Sequence, residues 1–428
     1  MKLGLRNICL LIPTLLAANV IGGQAGPRSG YNSLDAIEND LIQLANDNID
    51  NATMTKLADG AGVITTEARR NEDPKNIWCF KLEKGGEEPN RENVLILSNI
   101  HAREWITSHT SIKFAHFLLD HLNDTTWPAN TPFVKYDYFR QFPRLTIKHL
   151  TDNANIFLVP VANPQGYAWS FEKDLMPQPP FRAGWRKNRR DVHEDPLPPV
   201  TEFSFHSGAI PGVDLNRNFP SANWGQTGIV PWTNNVPERI RTSRWRSDEV
   251  YCGRPTGGSW QGVGPFAPIL EKETTAITTL LSSRFFRCFV DVHSAGGTIG
   301  WVEEGPNQIG SKNLRPGGEL SDQEVFDLIA GRAAGLVTDP VSGNNYVKEK
   351  GPYPTSGDTT KWQYEASNKN CYAYLIEMAA AQNNAFIFRP ENPDQHAEAV
   401  QPALFLMMFA SIDNQFVSRP GIIFEDEP

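Results

Sequence analysis

Runs of almost purely apolar residues recur along the chain and are separated by segments with helical spacing. Residues 93–100 read NVLILSNI and residues 156–161 read IFLVPV. Such runs are typical of strands that are buried on both faces of a sheet. The same pattern predicts further strands at residues 77–82, 286–292 and 372–376. Apolar side chains at three-to-four spacing predict helices, which are expected at residues 31–48, 105–122, 268–284, 321–337 and 396–409.

The alternation of strands and helices indicates an α/β fold in which one sheet is covered on both faces. No internal repeat and no long low-complexity tract divides the sequence. Surface loops are expected at residues 176–199 and 225–264, because turn-forming residues occur throughout both segments and would interrupt regular helices or strands. We therefore expect a single domain.

Composition and charge exclude several classes of protein. With 428 residues, of which 40% are hydrophobic and 21% charged, the chain can bury a large core, so it is neither disordered nor a small disulfide scaffold. A formal net charge of −9 argues against binding to nucleic acid or acidic membranes through bulk charge, and we expect neither partner. One basic cluster, RAGWRKNRR at residues 182–190, is either a solvated loop or a binding element.

The N-terminus has the layout of a secretory signal. Two basic residues precede an apolar stretch at residues 8–18, and the Gly-Gln-Ala sequence at residues 23–25 resembles a cleavage site. The stretch is too short to span a bilayer, and no later segment has about 18 uninterrupted apolar residues. The sequence thus predicts a signal peptide at residues 1–25, and a secreted, extracellular mature domain at residues 26–428.

Four cysteines lie outside the predicted signal: Cys79, Cys252, Cys288 and Cys371. None has the CxxC spacing of a cysteine-rich metal site. Cys288 and Cys371 lie in strand-like runs, so they form either a disulfide between neighbouring strands or two buried free thiols.

A histidine and a glutamate follow the strand predicted at residues 93–100. His101 and Glu104 are three residues apart at the junction with a helix, so both side chains can face one point. The pair alone is weak evidence, because most such pairs are capped or solvated turns. A catalytic zinc needs three protein ligands, and two histidines with one glutamate form an established set. His293, which closes the predicted strand CFVDVH, is the candidate for the second histidine, since ligands of open α/β sheets bind beyond the carboxyl ends of strands.

Six motifs make the chemistry specific: HAREWIT, NPQGY, GWRKNRR, VDLNRNF, VDVHS and YLIE. Together and in this order they resemble the zinc metallocarboxypeptidases of the carboxypeptidase A and B family, and the resemblance extends from about Tyr31 to the C-terminal helix. It implies one α/β/α domain with a mixed, twisted sheet of about eight strands. It also implies a monomer that binds one zinc ion per chain and hydrolyses the C-terminal bond of peptides and proteins.

The resemblance assigns the metal site and the base residue by residue. His101, Glu104 and His293 match the zinc ligands, and Asp214 matches the carboxylate that orients His101. Glu377 matches the general base, which takes a proton from zinc-bound water and passes it to the leaving amine.

The resemblance also gives the basic cluster a role. Arg186 matches the arginine that stabilises the oxyanion. Asn216 and Arg217 match the pair that binds the terminal carboxylate of the substrate, for which Arg217 has the fork geometry. Arg103 matches a more peripheral substrate contact, and Tyr353 matches the mobile tyrosine that closes over bound substrate.

The pocket for the terminal side chain fits neither pure type of digestive enzyme. The position that is apolar in A-type and aspartate in B-type enzymes falls on Thr360. Asp358 is expected in the same pocket wall, and Glu304 is expected to approach from the strand side. These residues predict cleavage of basic C-terminal residues alongside apolar or aromatic ones. The alternative is that Asp358 only caps its loop and Glu304 is solvated.

Three departures from the digestive enzymes follow from the same comparison. The first helix begins soon after the predicted cleavage point, which leaves no room for a separate activation propeptide. In the digestive enzymes, a cysteine in the loop before the VDLNRNF motif pairs with the cysteine that Cys252 matches. This chain lacks a cysteine in that loop, so the resemblance implies that the disulfide is absent. Residues 123–155, 190–212 and 225–265 form longer segments, and loops of this kind narrow or widen the mouth of a site.

Three other functions compete with an exopeptidase. An endopeptidase would not need Asn216 and Arg217, which suit a free carboxylate. A zinc-binding pseudoenzyme used for adhesion or peptide binding would be expected to lose Glu377 or Arg186, and both are present. A cell-wall peptidase that acts on short unusual peptides stays open.

Overall fold

A computed structural model describes residues 30–57, 73–129, 131, 133, 144–173, 185–190, 212–221, 268, 270–301, 313–314, 318, 320–350, 357–367, 370–379 and 387–413. The predicted signal peptide, Cys252, Glu304 and Tyr353 lie outside these residues, as do all of residues 225–265 and nearly all of residues 190–212.

The described residues form eight strands in one sheet, together with eight α-helices and a short 3₁₀ turn at Leu215–Arg217. The strands are β1 (Ala52–Lys56), β2 (Trp78–Leu82), β3 (Glu92–Ser98), β4 (Ala154–Val159), β5 (Phe286–Ser294), β6 (Thr298–Trp301), β7 (Val347–Lys350) and β8 (Tyr372–Met378). The helices are α1 (Leu34–Asp47), α2 (Trp105–Asp120), α3 (Ile147–Asn153), α4 (Pro164–Lys173), α5 (Lys272–Ser283), α6 (Asp322–Gly335), α7 (Thr359–Ala366) and α8 (Pro393–Ile412).

The sheet is mixed and has the order β1-β2-β4-β3-β5-β8-β6-β7. The four central strands β4, β3, β5 and β8 are parallel, whereas antiparallel pairings join β2 to β4 and β8 to β6. The strand that follows β3 in the sequence, β4, lies on one side of it, whereas the strands that follow β5, namely β6, β7 and β8, all lie on the other side. The order therefore reverses between β3 and β5, and open α/β sheets bind their ligands at such a point.

The apolar runs of the sequence form the centre of this sheet. Every residue of β4 is buried, and in β5 only Arg287 is partly exposed. Strands buried on both faces require cover on both faces, which confirms the expected α/β architecture. Helix α1 also begins as its sequence predicts, because the Ser33 side chain accepts a hydrogen bond from the Ala36 amide at 3.3 Å.

The strands that sequence reasoning did not predict lie at the two ends of the sheet: β1, β6 and β7. They have no long apolar run, and β7 reads VKEK with three of its four residues exposed. Charged residues on an edge strand discourage pairing with other chains. Short edge strands of this composition carry little periodic signal.

Cys288 and Cys371 are buried free thiols, as is Cys79. The Cys288 thiol lies 3.8 Å from the carbonyl of Met407 in α8, and burial raises its pKa to about 12. Of the two possibilities, the structure has the free thiols. No helix in the described ranges combines the length and apolar character that a bilayer crossing requires.

Candidate metal centre

Three of the predicted site residues lie where parallel strands of the sheet end. His101 follows β3 after two residues, His293 is the penultimate residue of β5, and Glu377 is the penultimate residue of β8. The carboxyl ends of parallel strands meet at one edge, so these side chains share the crevice where the strand order reverses.

The turn between β3 and α2 presents His101 and Glu104 together. Asn99 adopts a positive φ of 55°, a conformation that asparagine tolerates better than most residues. Its side-chain amide donates to the carbonyls of His101 at 3.2 Å and of Glu104 at 3.1 Å. The Thr107 hydroxyl accepts a hydrogen bond from the backbone amide of Asn99 and donates one to the backbone carbonyl of Glu104. The turn is therefore fixed by its own buried polar groups before any ligand binds.

His101, Glu104 and His293 form the group of buried ligand-type side chains that could hold a metal ion among the described residues. The Nδ1 atoms of the two histidines are 3.1 Å apart. The Glu104 carboxylate lies 2.9 Å from Nδ1 of His101 and 3.2 Å from Nδ1 of His293. Ligand atoms about 2.0–2.2 Å from a tetrahedral zinc lie roughly 3.3 Å from one another, so this cluster has the right dimensions.

A buried carboxylate stands behind each histidine. Nε2 of His101 is 3.3 Å from Asp214, and Nε2 of His293 is 3.0 Å from Asp291. A carboxylate close to Nε2 favours the tautomer with the proton on Nε2, which leaves the lone pair of Nδ1 for a metal. Both rings thus face the centre with the nitrogen that can bind a cation, and the residues fit zinc.

Asp214 also binds Arg186, whose Nε donates to its second oxygen at 3.0 Å. Burial opposes the charge of Asp214, but Arg186 and His101 hold the pKa of this carboxyl well below its usual range. Asp214 therefore stays ionised and couples the candidate ligand His101 to the arginine expected at the oxyanion.

Sequence reasoning did not assign a role to Asp291. Burial lowers the pKa of His293, but the Asp291 and Glu104 carboxylates together raise it well above its usual value, so a cation that binds Nδ1 would displace a proton from it. The available signal was the Asp-Val-His pattern in a strand, because residues two apart in a strand face the same side.

Glu377 is partly exposed and lies opposite His293 in the β5–β8 ladder. Removal of most of the Glu377 side chain from water raises its pKa to about 7, with a contribution from Glu104, against the opposing charges of His293 and Arg186. Gly296 passes so close that a Cβ there would lie 2.8 Å from the Glu377 Cβ. A carboxyl that titrates near neutrality suits a general base.

The GWRKNRR segment lies against the metal centre. The Ala102 amide donates to the Arg186 carbonyl at 3.0 Å, which attaches the segment to the turn that carries His101. The Asn188 side chain accepts from the Val213 amide at 2.7 Å and so joins this segment to the VDLNRNF motif. The two basic motifs are thus neighbours in space.

The structure describes most of the residues that are expected to bind substrate, but not Glu304 or Tyr353. Asn216, Arg217 and Arg103 are buried, and the Arg103 guanidinium lies 4.1 Å above the Phe388 ring. Thr360 is buried in α7, and the Asp358 side chain caps that helix by accepting from the Lys361 amide at 2.8 Å. The capping contact that the sequence left open for Asp358 is therefore present. Its part in substrate binding stays a prediction, as do the roles of Glu304 and Tyr353.

Comparison with known proteins gives a match to a family and to individual relatives. The zinc carboxypeptidase model, Peptidase_M14, matches residues 72–403. Carboxypeptidase B of Rattus norvegicus is 24% identical over 354 residues, which cover 81% of this chain and 63% of that protein. A Paracoccidioides brasiliensis protein described as the inactive metallocarboxypeptidase ECM14 is also 24% identical, over 71% of this chain and 42% of its own length. The matched region thus spans less than two thirds of either relative.

Solved structures show the same fold. The carboxypeptidase A structure from Helicoverpa armigera superposes with a TM-score of 0.57 at 19% identity, and the match covers 91% of this chain and 76% of the other. At this identity the likeness shows the fold alone. The family match covers most of the chain and includes the histidines, glutamates and arginine of the centre described above. The chain belongs to the zinc carboxypeptidase family.

Proposed function

We propose that this protein is a zinc-dependent exopeptidase, which removes C-terminal residues from peptides and proteins. The observation that carries the proposal is the convergence of His101, Glu104 and His293 on one point, beside Glu377. Three ligands leave room for a fourth, exchangeable ligand at a catalytic zinc. A carboxylate next to that position can act on a bound water.

The proposed chemistry divides between the metal and the side chains around it. Bound zinc would lower the pKa of a water molecule and polarise the scissile carbonyl. Glu377 accepts the proton of the attacking water and delivers it to the leaving amine. Burial raises the pKa of Glu377 above that of an exposed carboxyl, which favours retention of the transferred proton until the amine accepts it.

Two positive groups would complete the site. Arg186 lies beside the metal centre through its ion pair with Asp214 and is proposed to stabilise the developing oxyanion. Arg217 and Asn216 follow Asp214 directly and are proposed to bind the terminal carboxylate of the substrate. Recognition of that carboxylate would restrict cleavage to the chain end.

A zinc-binding protein without turnover is the second candidate, because the Paracoccidioides relative is described as inactive. The residues of this chain favour the enzyme. Glu377 and Arg186 are both in place around the centre, and a binding protein would have no need to keep either of them.

The test uses matched peptide pairs that differ only at the C-terminus, one with a free carboxylate and one amidated. We expect the zinc-loaded protein to release the terminal residue from the free acid only, to stop when a chelator is added, and to recover with zinc. Equal cleavage of both peptides would identify an endopeptidase. Stoichiometric zinc without release of any residue would identify a binding protein.

We also propose that the protein is exported and acts as a monomer outside the cell. The signal-like pattern at residues 1–25 supports export. Mass spectrometry of the exported protein should give an N-terminus near Gly26, and an intact N-terminus would argue against a cleaved signal. Light scattering of the exported protein should give the mass of one chain.

A further inference from the structure

Asp291 is completely buried directly behind His293. One of its carboxylate oxygens lies 3.0 Å from Nε2 of His293 and also accepts a hydrogen bond from the Thr359 hydroxyl. Its other oxygen, Oδ1, has no hydrogen-bond partner among the described residues. A buried carboxylate with so few donors is costly unless a positive group compensates it. The ring nitrogen that faces this carboxylate is Nε2 of His293.

The partners of Nε2 show which group receives its hydrogen. The Asn216 side-chain nitrogen also lies 3.2 Å from Nε2, but an amide nitrogen is a donor and cannot accept. Of the two groups, only the Asp291 carboxylate, 3.0 Å from Nε2, can accept its hydrogen. With the proton held at Nε2, the lone pair of Nδ1 faces His101 and Glu104.

Thr359 connects this arrangement to helix α7. It is the first residue of the helix, and its hydroxyl donates to Asp291. The Asn216 side-chain oxygen accepts from the Thr359 amide at 2.9 Å. Helix α7 is thus connected to the Nε2 side of His293 through the buried side chains of Asn216 and Asp291.

We propose that Asp291 is a positioning residue of the metal centre, which fixes His293 in the tautomer and orientation that bind zinc, and that Thr359 holds Asp291 in place from helix α7. The inference rests on the proposed function, because it concerns the same zinc. It gives the second histidine a carboxylate of its own, in addition to the Asp214 carboxylate behind His101.

The test measures zinc affinity by competition with a chelator, which needs no peptide substrate. Asp291→Asn keeps the size of the side chain and an acceptor oxygen but removes the charge. We expect its zinc dissociation constant to rise ~10 to 100-fold, as for loss of other carboxylates behind zinc-binding histidines. Thr359→Val, which leaves the carboxylate in place, is expected to give a smaller rise. The visible spectrum of the cobalt-substituted protein should likewise change more in Asp291→Asn than in Thr359→Val.

Asp322→Asn is the matched control. Asp322, the first residue of α6, is also a buried carboxylate, but its hydrogen-bond donors include the backbone amides of Asn313 and Leu314. Its loss should lower thermal stability without changing zinc affinity. If Asp291→Asn loses stability and keeps the zinc affinity of the wild type, its role is structural and the positioning role is wrong. If Asp291→Asn fails to fold, unchanged affinity and cobalt spectrum in Thr359→Val overturn the proposal.

The proposed function fails separately. A wild-type protein that binds zinc tightly and cleaves no peptide would overturn the peptidase and leave the role of Asp291 intact. A wild-type protein that cleaves peptides, with an Asp291→Asn variant of equal zinc affinity, would overturn the positioning role alone.

Discussion

His293 and Glu377 are register partners on the adjacent parallel strands β5 and β8. Neighbouring strands are about 4.8 Å apart, so the backbone ladder itself sets the distance between the proposed metal ligand and the proposed base. The backbone after β5 adds to this, since the Gly297 amide donates to the Glu377 carbonyl at 2.7 Å. The spacing of these two groups is therefore a property of the sheet core rather than of the long surface loops.

The first prediction concerns the metal. The wild-type protein should bind about one zinc per chain, and His293→Ala should lose it because two ligands are too few for a stable site. Elemental analysis after dialysis measures the zinc content. His109→Ala is the control, because His109 pairs with Asp394 at 2.8 Å and is not part of the cluster. Full zinc occupancy in His293→Ala would refute the ligand assignment.

The second prediction concerns the base. Glu377→Gln keeps the size of the side chain but cannot accept the proton of the attacking water. We expect turnover to fall at least ~10²-fold while zinc content and substrate binding stay normal. Steady-state kinetics on zinc-saturated protein gives the two parameters separately. Near wild-type turnover would show that another group is the base.

Much of the central sheet could be predicted from the sequence, because strands buried on both faces leave long apolar runs such as residues 93–98. The edge strand β7 could not, since its VKEK sequence is equally suited to a loop. The metal cluster was accessible because His101 and Glu104 are adjacent in a turn and His293 ends a strand. The contact of Asp291 with Thr359 was not, because it joins residues 68 positions apart.

The third prediction concerns pH and stability. His396 is buried in α8 with no hydrogen-bond partner for either ring nitrogen among the described residues, and Asp339 lies 3.9 Å away. Burial lowers the pKa of His396 below its ordinary value of 6.5. The unfolded chain therefore takes up a proton at a higher pH than the folded protein, and the free energy of unfolding should fall as pH drops through 6.5.

Replacement of His396 by methionine tests this contribution, since methionine fills similar space and does not titrate. The zinc-saturated variant should lose less stability than the wild type between neutral and mildly acidic pH. Chemical denaturation at a series of pH values measures the difference. Parallel stability curves for the two proteins would show that His396 contributes nothing to the pH dependence.

The last prediction concerns the preferred C-terminal residue. Asp358 caps α7 through the Lys361 amide, and asparagine caps a helix about as well as aspartate. Asp358→Asn therefore removes a negative charge near Thr360 and leaves the helix intact. If the carboxylate helps to bind a basic side chain, the variant should lose kcat/KM for C-terminal Lys and Arg and keep it for apolar or aromatic residues. A charge-assisted hydrogen bond of about 1.5–3 kcal/mol corresponds to a loss of roughly 10 to 150-fold.

A panel of blocked dipeptides that differ only in the last residue gives these ratios. Equal slowing of basic and apolar substrates would leave Asp358 with its capping role alone, and a wild type that ignores Lys and Arg would remove the mixed preference altogether.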